Sequence, residues 1–109
     1  MAKKIAKIQT AKKNTGLAGG EKYILRLFVT GMLPNSLTAI VNARKICEKY
    51  LKGRYDLEII DIYKQPGLAV RESIIAVPVL IKKFPFPEER MIGDLSDTKM
   101  VLKGLNIDA

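Results

Sequence analysis

The sequence predicts a single α/β domain, a layered sandwich with elements in the order βαβαββα. Three observations carry this. An apolar run over Tyr23–Val29 and an alternating run over Asp56–Tyr63 flank a stretch whose apolar residues recur at helical spacing. Strand, helix, strand over about 40 residues is a βαβ unit, whose two strands run parallel. A second apolar run, Ile74–Ile81, holds Pro78, and a shorter one, Arg90–Leu95, follows it before a final helical segment. The 109 residues suit one domain that can bury a working core unaided.

The elements follow in order. Within Lys22–Thr30 only Arg26 interrupts the apolar run, so both faces of this strand are expected to be covered. Gly31–Ser36 is a turn, and Asn35 or Ser36 is placed to cap the next helix by accepting from a free N–H of its first turn. Leu37, Ile40, Ala43, Cys47, Tyr50 and Leu51 form that helix's buried stripe, and Gly53 stops it. After the strand Asp56–Tyr63, Gln65-Pro66-Gly67 turns the chain, with Pro66 suited to a first helical turn. A short amphipathic helix, Gly67–Ile75, is expected next.

Pro78 then opens a strand, since proline lacks the N–H a central ladder needs. Ala76-Val77-Pro78-Val79-Leu80 resembles the proline loop of thioredoxin-like domains, where the bond before the proline is cis. The same residues also fit a proline at an ordinary strand start. Lys82–Glu89, with Pro85 and Pro87, is a proline-stiffened connection to the second strand of a hairpin. Ser96 is placed to cap the last helix, Asp97 lies in its first turn, and Val101, Leu102 and Leu105 form its apolar face. Gly104 weakens that helix by about 1 kcal/mol relative to alanine.

Charge divides the chain into two regions. Residues 1–20 carry Lys3, Lys4, Lys7, Lys12 and Lys13 and no acid. Residues 21–109 hold the other 14 basic and all 11 acidic side chains, so most of the net +8 belongs to a basic extension, expected to be flexible. That extension has no arginine and no aromatic residue with which to read or stack on bases, so no nucleic-acid partner is expected. No apolar run approaches the ~20 residues that span a bilayer, and no secretory signal is recognised, so a cytoplasmic setting without a membrane partner is expected.

Catalytic chemistry is scarce. With no histidine and one cysteine there is no zinc set and no Ser-His or Cys-His pair. Thioredoxin-like enzymes carry Cys-x-x-Cys after the first strand, where this chain reads Met32-Leu33-Pro34-Asn35. Cys47 falls on the buried helical stripe, and a buried thiol is inert because reactivity requires exposure and a lowered pKa. A thioredoxin-like thiol protein acting through Cys47 is the alternative reading. No glycine-rich phosphate loop follows a strand, so no cofactor is expected and the protein is not read as an enzyme.

Taken together, Leu25–Gly31, Pro34-Asn35-Ser36, Leu57–Ile62, Lys64–Ala69, Ala76–Leu80 and Ile92–Ser96 resemble the KaiB family. The resemblance covers about residues 22–107. It implies a thioredoxin-like sandwich without redox chemistry and a non-enzymatic regulatory protein that docks a KaiC-like ATPase ring, in a circadian clock or in stress adaptation. It implies a docking surface on the short helix, at Lys64, Gln65, Leu68, Arg71 and Ile74. It also implies a homo-oligomer, dimer or tetramer, and an alternative KaiB-type fold of the C-terminal half. Pro78, Pro85 and Pro87 are the expected switch points, because prolyl isomerisation is slow. Gly104 and Asn106 join them, Asn106 standing where clock members have an acid. Asp56 and Glu58 lie on a strand that faces KaiA in the family and tends there to be neutral or basic. With the basic extension, they count against a KaiA partnership.

Overall fold

The strand that is apolar on both faces receives a cover on each. In the computed structural model, which describes residues 21–108, this strand is β1 (Tyr23–Val29). It is followed by α1 (Pro34–Tyr50), β2 (Tyr55–Asp61), α2 (Pro66–Arg71), β3 (Val79–Phe84), β4 (Glu89–Ile92) and α3 (Thr98–Leu105). The strands form one sheet in the order β2-β1-β3-β4. β1 pairs with β2 in parallel, as a βαβ unit requires, and with β3 antiparallel, while β3 and β4 form the hairpin. The predicted basic extension, residues 1–20, lies outside the described residues.

On one face Tyr23, Leu25, Leu27 and Val29 pack with α1, α3 and Leu80 in the main core. A fully buried leucine side chain such as Leu25 or Leu27 contributes about 1.5–3 kcal/mol. The Tyr23 hydroxyl donates to the Leu105 carbonyl at 2.9 Å, which satisfies a buried polar group and ties α3 to β1. On the other face Phe28, Ile60, Val79 and Ile81 make a smaller core, with Leu68 and Ile74 packed on it from α2 and the segment after it.

Several boundaries differ from the sequence expectation. α1 begins at Pro34 without a side-chain cap. The buried Ser36 hydroxyl instead accepts from the Thr30 N–H at 2.9 Å, fixing the turn out of β1. The buried stripe of α1 is Ser36, Ala39, Ala43, Ile46 and Cys47; Leu37 is exposed and Ile40 and Tyr50 are only partly covered, because small residues line the side that lies closest to the sheet. The helix predicted to reach Ile75 ends at Arg71, where Ser73 takes a left-handed φ of 55°.

β3 runs through Lys82, Lys83 and Phe84, residues assigned above to the connection, because β1 is long enough to pair them: Leu25 lies opposite Lys82 and Ile24 opposite Phe84. Asp97, not Ser96, caps α3, its carboxylate accepting from the Met100 N–H at 3.1 Å. The bond before Pro78 is cis, as in the proline loop the sequence resembles, and so are those before Pro85 and Pro87.

Candidate functional site

Where a thioredoxin-like enzyme would hold its dithiol, the β1–α1 turn faces the proline loop. Thr30, Leu33, Pro34, Asn35, Val77 and Pro78 line a depression of about 320 Å³ there. None of these side chains is a thiol or a titratable group, and the Thr30 hydroxyl lies 3.3 Å from that of Ser36. Cys47 lies elsewhere, buried on α1, and loss of hydration pushes its thiol up to about 12, with the neighbouring Glu48 charge adding to the effect. A thiol so shifted is protonated at neutral pH and cannot act as the nucleophile that a thiol enzyme needs.

The predicted docking residues come together at α2 because they are close in sequence, but the structure sorts them by direction. Lys64, Gln65 and Arg71 are exposed. Leu68 and Ile74 are half-buried and point into the smaller core, where they hold the helix down. Side chains not singled out above complete the outer surface: Val70 is 78% exposed, Tyr63 71% and Ile75 95%. Three large apolar groups beside two exposed cations are a surface suited to a partner. The sequence signal for Val70 was available in helical phase, since two residues along a helix place it nearly opposite Leu68.

α2 is weak on its own. It has six residues, none fully buried, and no side-chain cap, far short of what an isolated helix needs in water. Beneath its C-terminal end lies a row of charges that crosses the sheet. The Glu72 carboxylate accepts from Arg26 at 3.2 Å and from Lys83 at 3.0 Å. Glu88 accepts from Lys83 at 3.1 Å and from Arg90 at 3.4 Å, and Arg26 also reaches Glu58 at 3.4 Å. Glu72 and then Glu88 hold the Lys83 ammonium above its ordinary value, and Lys83 in return holds Glu88 below the usual carboxylate range.

The residues expected to act as a fold switch do not form one site. Pro78 is buried at the depression, before β3, and Pro85 and Pro87 lie in the turn at the strand's other end. Gly104 packs α3 against Met91 of β4, with no room for a side chain, and Asn106 caps α3 at a left-handed φ of 65°, which asparagine tolerates.

The fold and the depression define a thioredoxin-fold module with no cysteine at the place of the dithiol. Solved structures agree on the fold. The N-terminal domain of Synechococcus elongatus SasA superposes with a TM-score of 0.64 at 22% identity, over 87% of this chain and 93% of that one. Mitochondrial thioredoxin 3 of Saccharomyces cerevisiae gives 0.64 at 12% identity, over 82% of each chain. Residues 26–107 match the KaiB domain, and the chain belongs to the KaiB family. It is 47% identical over 91 residues to the circadian clock oscillator protein KaiB of Prochlorococcus marinus strain MIT 9312, covering 84% of this chain and 87% of that protein. It is 48% identical over 85 residues to the protein of that name from Synechococcus sp. strain CC9311, covering 78% and 71%.

Proposed function

We propose that the protein is a non-enzymatic regulatory binding protein that docks a KaiC-like ATPase ring, in a circadian-clock or stress-adaptation system. The observation that carries this reading is membership of the KaiB family over residues 26–107. The depression without a thiol or a titratable group supports a binding role. On this reading the docking surface is the outer side of α2, with Lys64, Gln65 and Arg71 making polar contacts beside Val70 and Tyr63. Leu68 and Ile74 set the position of the helix from beneath. Rearrangement of the second half, with Pro78, Pro85, Pro87, Gly104 and Asn106 as its switch points, belongs to the same proposal. So do assembly into a dimer or tetramer and a cytoplasmic location. Among the described residues no helix is long and apolar enough to cross a membrane.

The test is a titration against a KaiC-like hexamer, read by native mass spectrometry over hours. Stoichiometric binding supports the reading, and its rate separates the two forms of the proposal. Slow capture indicates that a minor arrangement binds; fast capture indicates that the arrangement described above already does. The Arg71→Glu variant, folded by circular dichroism, is expected to bind at least tenfold more weakly, since reversing an interfacial charge costs more than about 1.4 kcal/mol. No binding by the folded wild-type protein refutes the proposal, and unchanged affinity of the variant removes Arg71 from the surface.

A further inference from the structure

We infer that Arg90 and Glu72 form a latch that holds α2 and the segment after it against the sheet, which makes both of them positioning residues for the docking surface. The inference rests on the α2 reading only for its functional consequence; the latch itself stands on geometry. One arm of the Arg90 guanidinium donates to the Glu72 carbonyl at 2.7 Å and the other to the Ser73 carbonyl at 3.3 Å. These carbonyls lie just past the end of α2, where the helix leaves its acceptors without intrahelical donors. A planar fork is suited to two neighbouring oxygens, and lysine is not. Glu88 braces the guanidinium from the side, at 3.4 Å to both Nε and Nη2.

The Glu72 carboxylate is the second half of the latch. Its side chain is 16% exposed and sits among Arg26 of β1, Lys83 of β3 and Arg90 of β4. Residue 72 is thereby tied to three strands, at the point where Ser73 turns the chain left-handed and the helix stops. Apolar contact holds the segment as well. Leu68 and Ile74 supply half-buried apolar contact, and Ile75 projects into solvent. When the latch opens, α2 leaves the sheet and uncovers Phe28, Ile60, Val79 and Ile81, each at most 3% exposed in the closed arrangement. Local opening of this unit therefore costs less than global unfolding, and the charge cluster adds to the cost set by that apolar contact.

Hydrogen exchange by mass spectrometry tests the latch on the full chain without any partner. In Arg90→Gln the amides of residues 66–75 are expected to exchange about tenfold faster or more, from the loss of hydrogen bonds made by a charged donor. Peptides from α1 are expected to keep their wild-type rates. Arg90→Lys retains the charge but not the fork and is expected to restore less than half of the lost protection. Glu72→Gln is expected to accelerate the same peptides independently. Unchanged exchange over residues 66–75 in Arg90→Gln overturns the latch. An equal acceleration in α1 also overturns it, because Arg90 would then stabilise the whole domain. Ring binding is read separately: a folded wild-type protein that does not bind the ring refutes the docking reading and leaves the latch standing. Raised exchange with unchanged affinity in Arg90→Gln supports the latch, because a still-rare open form leaves the docking-competent population nearly full.

Discussion

Replacing Gly104 by alanine sets two effects against each other, and the structure decides between them. Alanine gains up to about 1 kcal/mol of helix propensity over glycine. A Cβ at position 104, however, would overlap the Met91 side chain, with Cγ at 2.8 Å and Sδ nearer still. Met91 is 3% exposed, enclosed between the sheet and α3, so it has little free space into which to swing. Overpacking of this kind costs about 1–3 kcal/mol. Gly104→Ala is therefore expected to destabilise by roughly 1 kcal/mol net, a fall in Tm of about 4–8 °C for a domain of this size. Met91→Ala alone opens a cavity and costs about 2–5 kcal/mol. In the double variant the new methyl occupies space the methionine has vacated, so the combined loss is expected to fall short of the sum by about 1–3 kcal/mol. Urea unfolding of the four proteins at one protein concentration measures this coupling. Additivity within about 0.5 kcal/mol, or a gain of the full propensity term in the single variant, would refute the seating of α3 on β4 described here.

Three further outcomes are expected. Lys82 is fully buried on the face shared with Leu25 and Leu80 and, among the described residues, its ammonium has no hydrogen bond or ion pair. Lys82→Met is expected to stabilise the fold by about 1–3 kcal/mol, the cost of an unsatisfied buried donor, and a Tm that does not rise would mean the ammonium has an acceptor. Asp97→Ala is expected to cost about 1 kcal/mol by removing the cap on the Met100 N–H, whereas Ser96→Ala is expected to be near neutral; the reverse order in thermal melts would restore Ser96 as the cap. The Cys47 thiol holds its proton up to about pH 12 in the folded chain, and the unfolded thiol ionises near pH ~8.5. Its contribution to stability is therefore full below ~8.5 and is lost as pH rises toward 12. Relative to Cys47→Ala, wild-type stability is expected to fall by about 1.4 kcal/mol per pH unit across that window, and parallel curves would show the thiol to be hydrated.

The elements legible in the sequence are those whose signal is local and periodic. Tyr23–Val29 and the helical spacing of Ala43, Cys47 and Leu51 carry the βαβ unit because burial on a regular element repeats with the element's own period. The errors fall where a distant partner decides. Lys82 and Lys83 look like a polar connection, yet they pair as strand because β1 extends past them, and a single chain does not announce that register. Ile74 and Ile75 continue a helical apolar pattern, but Ser73 leaves the helix, and serine gives no signal of the left-handed conformation that glycine would give. Ser96 and Asp97 are adjacent good cappers, and only the geometry chooses between them.

The candidate site divides along the same line. The exposed cations of α2 are plain in the sequence, whereas the Arg90 contact to the Glu72 and Ser73 carbonyls joins residues 17 and 18 apart across a hairpin. That difference has a physical origin. A helix that leaves its side chains exposed, as α2 does and as the proposed docking requires, supplies little of its own stability. Its anchor must then come from groups at its rim, and long-range charged hydrogen bonds are an anchor that leaves no periodic trace in the sequence.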